Sequence, residues 1–236
     1  AVITIKPFNF REAGAECHHV LGDDNTTYSD IDGTHTLTKV GTGHTESVGF
    51  ASTLQTGVSS YMNGLLSNTA DLSNNQTMII VGKMYSGVNG VTLLGNLTTS
   101  GTAGGVGVFE QHSAGADFKK LFIQNRGTGA FHYVTRPPDD TWFMVAVSFS
   151  GTNRKTFYQD PTMSSPLIID QGGVSVTTST PARNIGFGNT SYNQINKRRG
   201  MHIAEGIIIN AGKTDAELSA IYARSVARLG LRGITL

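Results

Sequence analysis

Hydrophobic and polar residues alternate along most of this chain with the two-residue period of a β-strand. From Trp142 to Phe149 both alternating sets of side chains are largely apolar, which predicts a strand buried on both faces in the middle of a sheet. Glycines and polar residues separate the β-rich runs, and no helical pattern lies between them, so an antiparallel sandwich or barrel is predicted. The other predicted strands are 35–40, 77–84, 105–109, 121–124, 131–134, 155–158 and 201–209.

One segment near the C-terminus has a helical pattern instead. Thr214 and Glu217 form a capping box, in which each side chain accepts a hydrogen bond from the other residue's backbone N–H. Apolar residues follow at helical spacing, and Gly230 provides a stop. A helix is therefore predicted over residues 215–229.

The composition favours one β-rich globular domain. The 236 residues are 38% hydrophobic and 15% charged, with 29 glycines, and no low-complexity linker divides them. We expect a single domain over residues 1–236, in which residues 1–45 either complete the sandwich or form an extension that makes an oligomer contact. Phe8 and Phe10 share one face of a predicted N-terminal strand, so we expect both to be buried in the domain or in such a contact.

Charge and cysteine content exclude several classes of protein. The formal net charge of +1 gives no global field for nucleic acid, and the apolar runs are far shorter than the roughly 20 residues of a transmembrane helix. The single Cys17 excludes an intramolecular disulfide framework. The first residues lack the basic and apolar regions of a secretory signal, which points to a protein without an export route. The chain is either a whole gene product or a domain of a longer one.

Three segments, in this order along the chain, carry a family resemblance. They are Tyr61–Leu65 leading into Thr77–Gly82, the pair Thr141–Thr152 and Thr156–Asp160, and Ile185–Gly188 followed by a polar loop, Met201–Asn210 and the capped helix. Their order resembles the laminin-G-like branch of the concanavalin A-like lectin and glucanase superfamily. The resemblance implies an all-β, two-sheet antiparallel jelly-roll sandwich with one short C-terminal helix. The second member of the pair ends Asp160-Pro161, where many family members have Asp-Gly.

The sequence lacks the catalytic pattern of this superfamily's glucanases. Those enzymes use a Glu-x-Asp-x-Glu strand, in which alternate positions place the carboxylates on one face. None of the six glutamates here belongs to such a triplet, and Glu205 is expected to be a satisfied structural group at a strand edge. Nucleophile-elbow, phosphate-loop and zinc-helix motifs are also absent. We therefore predict a protein that is not an enzyme, with a glycoside hydrolase as the less favoured alternative.

Two clusters contain metal-ligating residue types. Clustered carboxylates in loops are what Ca²⁺ requires, and laminin-G-like relatives often bind calcium at a loop rim. The candidate ligands are Asp23, Asp24, Asp30 and Asp32. The alternative, which is favoured, is a solvated turn that uses Asp and Gly for backbone reasons. In Cys17–His19, neighbouring strand residues point to opposite sides, so a soft-metal site is not expected.

A polar loop between the last two predicted strands has the composition of a sugar-binding surface. Side-chain amides hydrogen-bond to vicinal hydroxyls, and an aromatic ring stacks on the apolar face of a pyranose. The candidate ligand-binding residues are Asn189, Tyr192, Asn193, Gln194 and Asn196. Trp142, the single tryptophan, is instead expected in the core because its strand is so apolar.

These patterns favour a non-catalytic recognition module that binds a cell-surface carbohydrate or another protein through loops at the rim of the sandwich. Low charge, the lack of disulfides and Gly/Thr/Asn/Ser-rich strands resemble bacteriophage tail-fibre or receptor-binding proteins. The virion is then the expected location, with other virion proteins or further copies of this chain as partners. The alternative is a structural virion protein, a capsid decoration or tail-assembly subunit, without glycan binding. Neither nucleic acid nor membrane insertion is expected.

Overall fold

Strands dominate the computed structural model of the chain, which describes residues 11–22, 28–40, 44–47, 50–53, 64–70, 73–85, 90–97, 104–110, 120–125, 131–174, 176, 183–188 and 200–236. Within these residues fifteen strands precede one C-terminal helix. The strands are β1 (Ala15–Val20), β2 (Thr38–Val40), β3 (His44–Ser47), β4 (Phe50–Thr53), β5 (Gly64–Ala70), β6 (Asn75–Met84), β7 (Thr92–Gly95), β8 (Val106–Glu110), β9 (Lys120–Asn125), β10 (Phe131–Thr135), β11 (Trp142–Ser150), β12 (Asn153–Gln159), β13 (Leu167–Gln171), β14 (Asn184–Gly188) and β15 (Met201–Ile209). The helix is α1 (Asp215–Gly230).

The strands form two antiparallel sheets with an apolar core between them. The eight-stranded sheet has the order β13-β12-β11-β6-β15-β4-β3, and β1 also pairs with β15. The seven-stranded sheet has the order β10-β9-β8-β7-β14-β5-β2. Residues from both sheets meet in one buried cluster. The predicted fold class, a two-sheet antiparallel jelly-roll sandwich with one short C-terminal helix, is confirmed.

β11 shows how the sequence pattern produces two apolar layers. Val145 faces the core between the sheets, whereas Met144 faces a second apolar cluster on the outer side of the eight-stranded sheet. As predicted, β11 is buried on both faces and lies mid-sheet, between β12 and β6. A two-residue loop joins β11 to β12, and Gly151 adopts there a φ of 60°, which favours glycine.

α1 packs on the outer face of the eight-stranded sheet, where Leu218 and Leu229 are fully buried. The Thr214 N–H donates to the Glu217 carboxylate at 2.8 Å, and the Glu217 N–H donates to the Thr214 hydroxyl at 3.3 Å. The predicted capping box is therefore confirmed, and the helix ends at Gly230, one residue beyond the predicted end. Among the described residues, no helix is long and apolar enough to span a membrane.

Part of the N-terminal segment is integrated into the sandwich. β1 pairs with the second half of β15, and β2 pairs with β5 in the other sheet. β1 and β2 are therefore strands of the two sheets, and whether residues 1–45 also make an oligomer contact stays a prediction. Phe8 and Phe10 lie outside the described residues, so their burial stays a prediction.

A β-bulge at Ala204 decides which residues of β15 face the helix. The pairing of β15 with β6 shifts in register between Ile203 and Glu205. Ile203 faces the core between the sheets, whereas Ile207 and Ile209 face α1. Because side chains alternate along a strand, the extra residue turns Glu205 to the same side as Ile207.

Glu205 is the centre of a buried ion-pair network. Its Oε1 accepts hydrogen bonds from His18 Nε2–H and Arg228 Nε–H, both at 2.8 Å, and its Oε2 accepts one from Ser225 at 2.5 Å. His18 Nδ1 accepts the backbone N–H of Glu12 at 3.1 Å, which leaves the Nε2 proton for Glu205. Burial raises the pKa of Glu205, but the His18 hydrogen bond and the Arg228 charge outweigh burial and lower the pKa to about 2.

Glu12 completes this network. Its carboxylate accepts a hydrogen bond from Arg224 at 2.6 Å and lies 2.9 Å from Arg228 Nη1. Two carboxylates therefore balance two guanidinium groups and join β15, α1 and the segment before β1. Glu205 is a satisfied structural group, as predicted. Its predicted place at a strand edge is wrong, since it lies inside β15 between Val20 of β1 and Val81 of β6.

Replacing Glu205 by glutamine tests this network. Glu205→Gln leaves the Arg228 guanidinium buried without its full counter-charge, so we expect the free energy of unfolding in urea to fall by about 3 kcal/mol. The same change at the partly exposed Glu16 is the control and is expected to alter stability by less than about 0.5 kcal/mol. Equal effects of the two substitutions would contradict the structural role of Glu205.

His19 makes stability depend on pH. Its side chain is fully buried beside Phe187, and burial lowers the pKa to about 4. The unfolded chain binds this proton already near the ordinary histidine pKa of about 6.5, so acidification through this window favours unfolding. We expect stability to fall from pH 6.5 to pH 4 and His19→Leu to fall less steeply, as measured by urea unfolding at several pH values. Parallel curves would exclude His19 as a cause.

Candidate functional site

Aromatic side chains cover the outer face of the seven-stranded sheet at its β10 edge. Tyr133 lies opposite Phe122 on β9, and Phe122 lies opposite Phe109 on β8. Phe131 lies two residues before Tyr133 and therefore on the same side of β10. The alternate residues of these strands pack into the core between the sheets. We call Phe109, Phe122, Phe131 and Tyr133 the aromatic face.

The rings of the aromatic face contact one another, and two of them are open to solvent. Phe109 and Phe122 stack at a centroid distance of 5.8 Å, and Phe122 lies 5.9 Å from Tyr133 and 6.4 Å from Phe131. Phe131 is 58% exposed and Tyr133 is 50% exposed. Lys120 places its ammonium 4.0 Å from the centroid of the Tyr133 ring. Sheet edges normally carry charged rather than aromatic side chains, so this surface is a candidate binding site.

A pocket of about 530 Å³ opens beside the aromatic face, where the edges of the two sheets meet. Thr135 joins the two features, since it lines the pocket and lies on the Tyr133 side of β10, roughly 7 Å further along the strand. We call this cavity the edge pocket. Its other lining residues are Arg136, Pro137, Pro138, Tyr158, Asp160, Thr162, Met163 and Leu167.

Asp160 organises one wall of the edge pocket. Its Oδ2 accepts the Tyr158 hydroxyl at 2.5 Å, and its Oδ1 accepts the backbone N–H of Thr162 at 2.8 Å and the Thr162 hydroxyl at 2.5 Å. Burial, reinforced by the Asp160 carboxylate, raises the pKa of Tyr158. The wall therefore presents hydroxyl and carboxylate oxygens in fixed positions, in the turn where the chain departs from the Asp-Gly of the resembled family.

Arg136 provides a second polar group of the edge pocket. Its Nε lies 3.2 Å from Oε1 of Glu110, which is almost fully buried, and its Nη1 lies 2.5 Å from Oδ1 of Asp139. The Arg136 side chain is 11% exposed, and its guanidinium is held between these two carboxylates. Such a group donates hydrogen bonds with its charge already neutralised by its neighbours.

A buried polar cluster ties the two sheet edges together beneath the aromatic face. His132, between Phe131 and Tyr133 in sequence, points inward, and its Nδ1 lies 2.8 Å from Gln171 Oε1 and 2.9 Å from Arg154 Nη2. Burial and the Arg154 charge lower the pKa of His132 to about 4, and burial lowers that of Arg154 to about 10. Because β10 and β13 are joined through these contacts, the aromatic face rests on a fixed strand.

Most of the predicted site residues lie outside the described part of the chain. Their roles in sugar or calcium binding stay predictions. They are Asn189, Tyr192, Asn193, Gln194 and Asn196 of the polar loop, and Asp23 and Asp24 of the acidic cluster.

The two described members of the acidic cluster serve the backbone and an ion pair. Asp30 Oδ1 accepts the N–H groups of Thr34 at 2.8 Å and His35 at 3.1 Å, and these hydrogen bonds help to lower the pKa of Asp30 against its burial. Asp32 pairs with Arg11. These contacts fit the favoured interpretation, a turn that uses Asp for backbone reasons. Among the described residues, no three His, Cys, Asp or Glu side chains are grouped as metal ligands.

The Cys17–His19 segment and Trp142 are used for packing. Cys17 faces the core between the sheets and has its pKa raised to about 12 by burial, whereas His18 faces Glu205. The segment therefore spreads its side chains to both sides of β1, as predicted. Trp142 is only partly buried; it packs on the outer apolar cluster, with Lys83 Nζ 5.3 Å from its ring.

Sequence reasoning missed the aromatic face. The run 131–134 was predicted as a strand, but alternation alone does not say which side is buried. The sequence does contain one signal. Phe131 and Tyr133 alternate with His132 and Val134, and the aliphatic Val134 is the residue expected to face the core, which turns both aromatic residues outward. The rings of Phe131 and Tyr133 meet Phe122 through the register between β9 and β10, which a single sequence does not reveal.

Comparison with known proteins shows similarity of fold without similarity of sequence. No protein-family model and no curated protein sequence matches this chain. The botulinum neurotoxin serotype D binding domain superposes with a TM-score of 0.60 at 9% identity, over 90% of this chain and 51% of that chain. A Trypanosoma rangeli sialidase in complex with sialic acid gives 0.62 at 8% identity, over 92% and 34%.

The binding domain of Paraclostridial Mosquitocidal Protein 1 gives a TM-score of 0.57 at 10% identity, over 88% of this chain and 52% of that chain. The present chain therefore spans only a third to a half of these neighbours. At such identities the likeness concerns the fold alone. It is consistent with the predicted concanavalin A-like, lectin-type jelly roll.

Proposed function

We propose that this chain is a non-catalytic saccharide-binding module whose ligand lies along the aromatic face and enters the edge pocket. The observation that carries the proposal is the continuity of two features on β10. Exposed rings at Phe131 and Tyr133 lead directly to Thr135 and the polar wall of the pocket. Binding sites combine apolar surface with a few fixed polar groups in this way.

The chemistry of a sugar ring matches this arrangement. One face of a pyranose presents C–H groups, which pack on the flat surface of an aromatic ring. Its hydroxyl groups both donate and accept, so they are suited to the Thr135 and Thr162 hydroxyls and to the Asp160 carboxylate. A chain of two or three sugar rings is long enough to contact the aromatic face and the edge pocket at once.

The structural neighbours support a binding role. One is a botulinum neurotoxin binding domain and another is the binding domain of Paraclostridial Mosquitocidal Protein 1. A further crystal structure is of the botulinum neurotoxin serotype D ligand binding domain in complex with N-acetylneuraminic acid. The sialidase is the enzymatic member of the comparison. In this chain Glu12, Glu110 and Glu205 are held in ion pairs and Glu217 in the helix cap, which favours binding over glycoside hydrolysis.

The exposed edge also favours a second candidate function, docking of a protein strand on β10. β10 is the terminal strand of its sheet and carries two open aromatic rings, which are features of strand-addition sites. A structural virion subunit would use such an edge for assembly. The two functions differ in whether a soluble saccharide binds to the isolated protein.

Alanine substitution in the aromatic face tests saccharide binding. Tyr133→Ala and Phe131→Ala each remove a half-exposed ring, so we expect affinity on a glycan array to fall at least tenfold, while the folded state loses less than about 1 kcal/mol. Leu231→Ala is the matched control, because Leu231 is 69% exposed at the distant end of α1. Saccharide binding that survives loss of both rings would contradict the proposed site.

A cell-binding assay tests the biological role that the sequence suggests. We propose that the module acts in bacteriophage adsorption, as part of a tail-fibre or receptor-binding protein in the virion. Labelled protein is then expected to bind bacterial cells and to lose binding when surface polysaccharide is oxidised with periodate. Addition of EDTA tests the calcium prediction for Asp23, Asp24, Asp30 and Asp32, since a calcium-dependent site would lose binding. Binding unaffected by periodate would contradict the carbohydrate receptor.

A further inference from the structure

The ion pairs of the edge pocket bear on the charge of its ligand. An arginine that recognises a carboxylate presents two parallel N–H groups to it. In Arg136, Nε faces Glu110 at 3.2 Å and Nη1 faces Asp139 at 2.5 Å. An incoming carboxylate could therefore pair only with the N–H groups that these two acids leave, on a guanidinium whose charge they already balance.

The remaining charges of the pocket also disfavour an anion. Asp160 lines the wall facing the ligand, and its side-chain oxygens already accept three hydrogen bonds. Two further carboxylates, those of Asp139 and Glu110, pair with the Arg136 guanidinium that lines the same pocket. Lys120 is the nearest described cation on the aromatic face, where it lies against Tyr133 rather than in the pocket wall. Like charges brought together at an interface oppose binding strongly.

On the basis of the proposed function, we infer that the saccharide bound here is uncharged and that the pocket discriminates against sialic and uronic acids. Hydroxyl and acetamido groups can hydrogen-bond to the threonine hydroxyls of the pocket without bringing a second negative charge beside Asp160. The chain would then differ from its structural neighbours, since a toxin domain and a sialidase are both described in complex with sialic acid. The shared fold would carry a different ligand preference through this pocket.

Paired probes of equal backbone test the inference. A glycan array presents 3′-sialyl-N-acetyllactosamine beside its methyl ester, and trigalacturonic acid beside its methyl ester. The best neutral probe and its acidic counterpart are then titrated by calorimetry. We expect each neutral member to bind at least about tenfold more tightly than its acidic partner, because the acid brings a second negative charge next to Asp160 in the pocket wall.

Asp139→Asn connects this selectivity to the guanidinium. The change removes one partner charge from Arg136 and frees Nη1, so the affinity for the acidic probe relative to the neutral one is expected to rise by about fivefold. Asp170→Asn is the matched control, because Asp170 is also an exposed, ion-paired aspartate but pairs with Lys155 on the helix side of its sheet. The control is expected to leave the ratio unchanged.

The outcomes separate the inference from the function on which it rests. Neutral probes that bind through Tyr133, with the acidic probes excluded, support both. Acidic probes that bind as tightly as neutral ones, with binding lost in Tyr133→Ala, overturn the charge preference and leave the saccharide function intact. Failure of every probe to bind overturns both proposals. An equal rise in the ratio for Asp139→Asn and Asp170→Asn removes Arg136 from the explanation.

Discussion

The assembly of this sandwich depends on the ion pairs and hydrogen bonds of the buried Glu205 carboxylate. A carboxylate without partners in an apolar layer would be strongly unfavourable, so the position is compatible with folding only when His18, Ser225 and Arg228 are in place together. These partners come from β1 and from α1. The network therefore couples the N-terminal strand and the C-terminal helix to the central strand of the eight-stranded sheet.

The candidate binding surface lies away from this network, at the β10 edge of the seven-stranded sheet. The helix covers the outer face of the eight-stranded sheet, while no described element covers the outer face of the seven-stranded sheet at β9 and β10. The His132, Arg154 and Gln171 cluster holds β10 against the other sheet. Exposed rings on a strand fixed in this way lose little conformational freedom when a ligand binds, which favours affinity.

The sequence predicted the strands and the helix better than the contacts between them. The alternation in β11 and the capping box of α1 are local patterns, and both the strand and the helix end within a residue or two of their predicted bounds. The bulge at Ala204 is not encoded in any local pattern, so the structural role of Glu205 could be predicted but neither its place inside the sheet nor its partners could. Short strands such as β3 and β4, with little alternation to reveal them, were missed.

The candidate site was less predictable for a related reason. The sequence suggested loops rich in amides and carboxylates. The aromatic face is instead built from four residues of three strands, which meet only through the sheet register. The edge pocket likewise combines the end of β10 with the turn after β12. Contacts between distant segments produce both features, and a single sequence does not specify such contacts.

Fluorine NMR of protein labelled with 3-fluorotyrosine can show whether a saccharide lies against Tyr133. The chain has seven tyrosines, whose resonances are assigned by single Tyr→Phe changes. Upon titration with a neutral oligosaccharide that binds, we expect the Tyr133 resonance to shift because the ligand lies on its ring. A shift confined to Tyr192, with Tyr133 unchanged, would place the ligand on the polar loop and would exclude the aromatic face as the binding site.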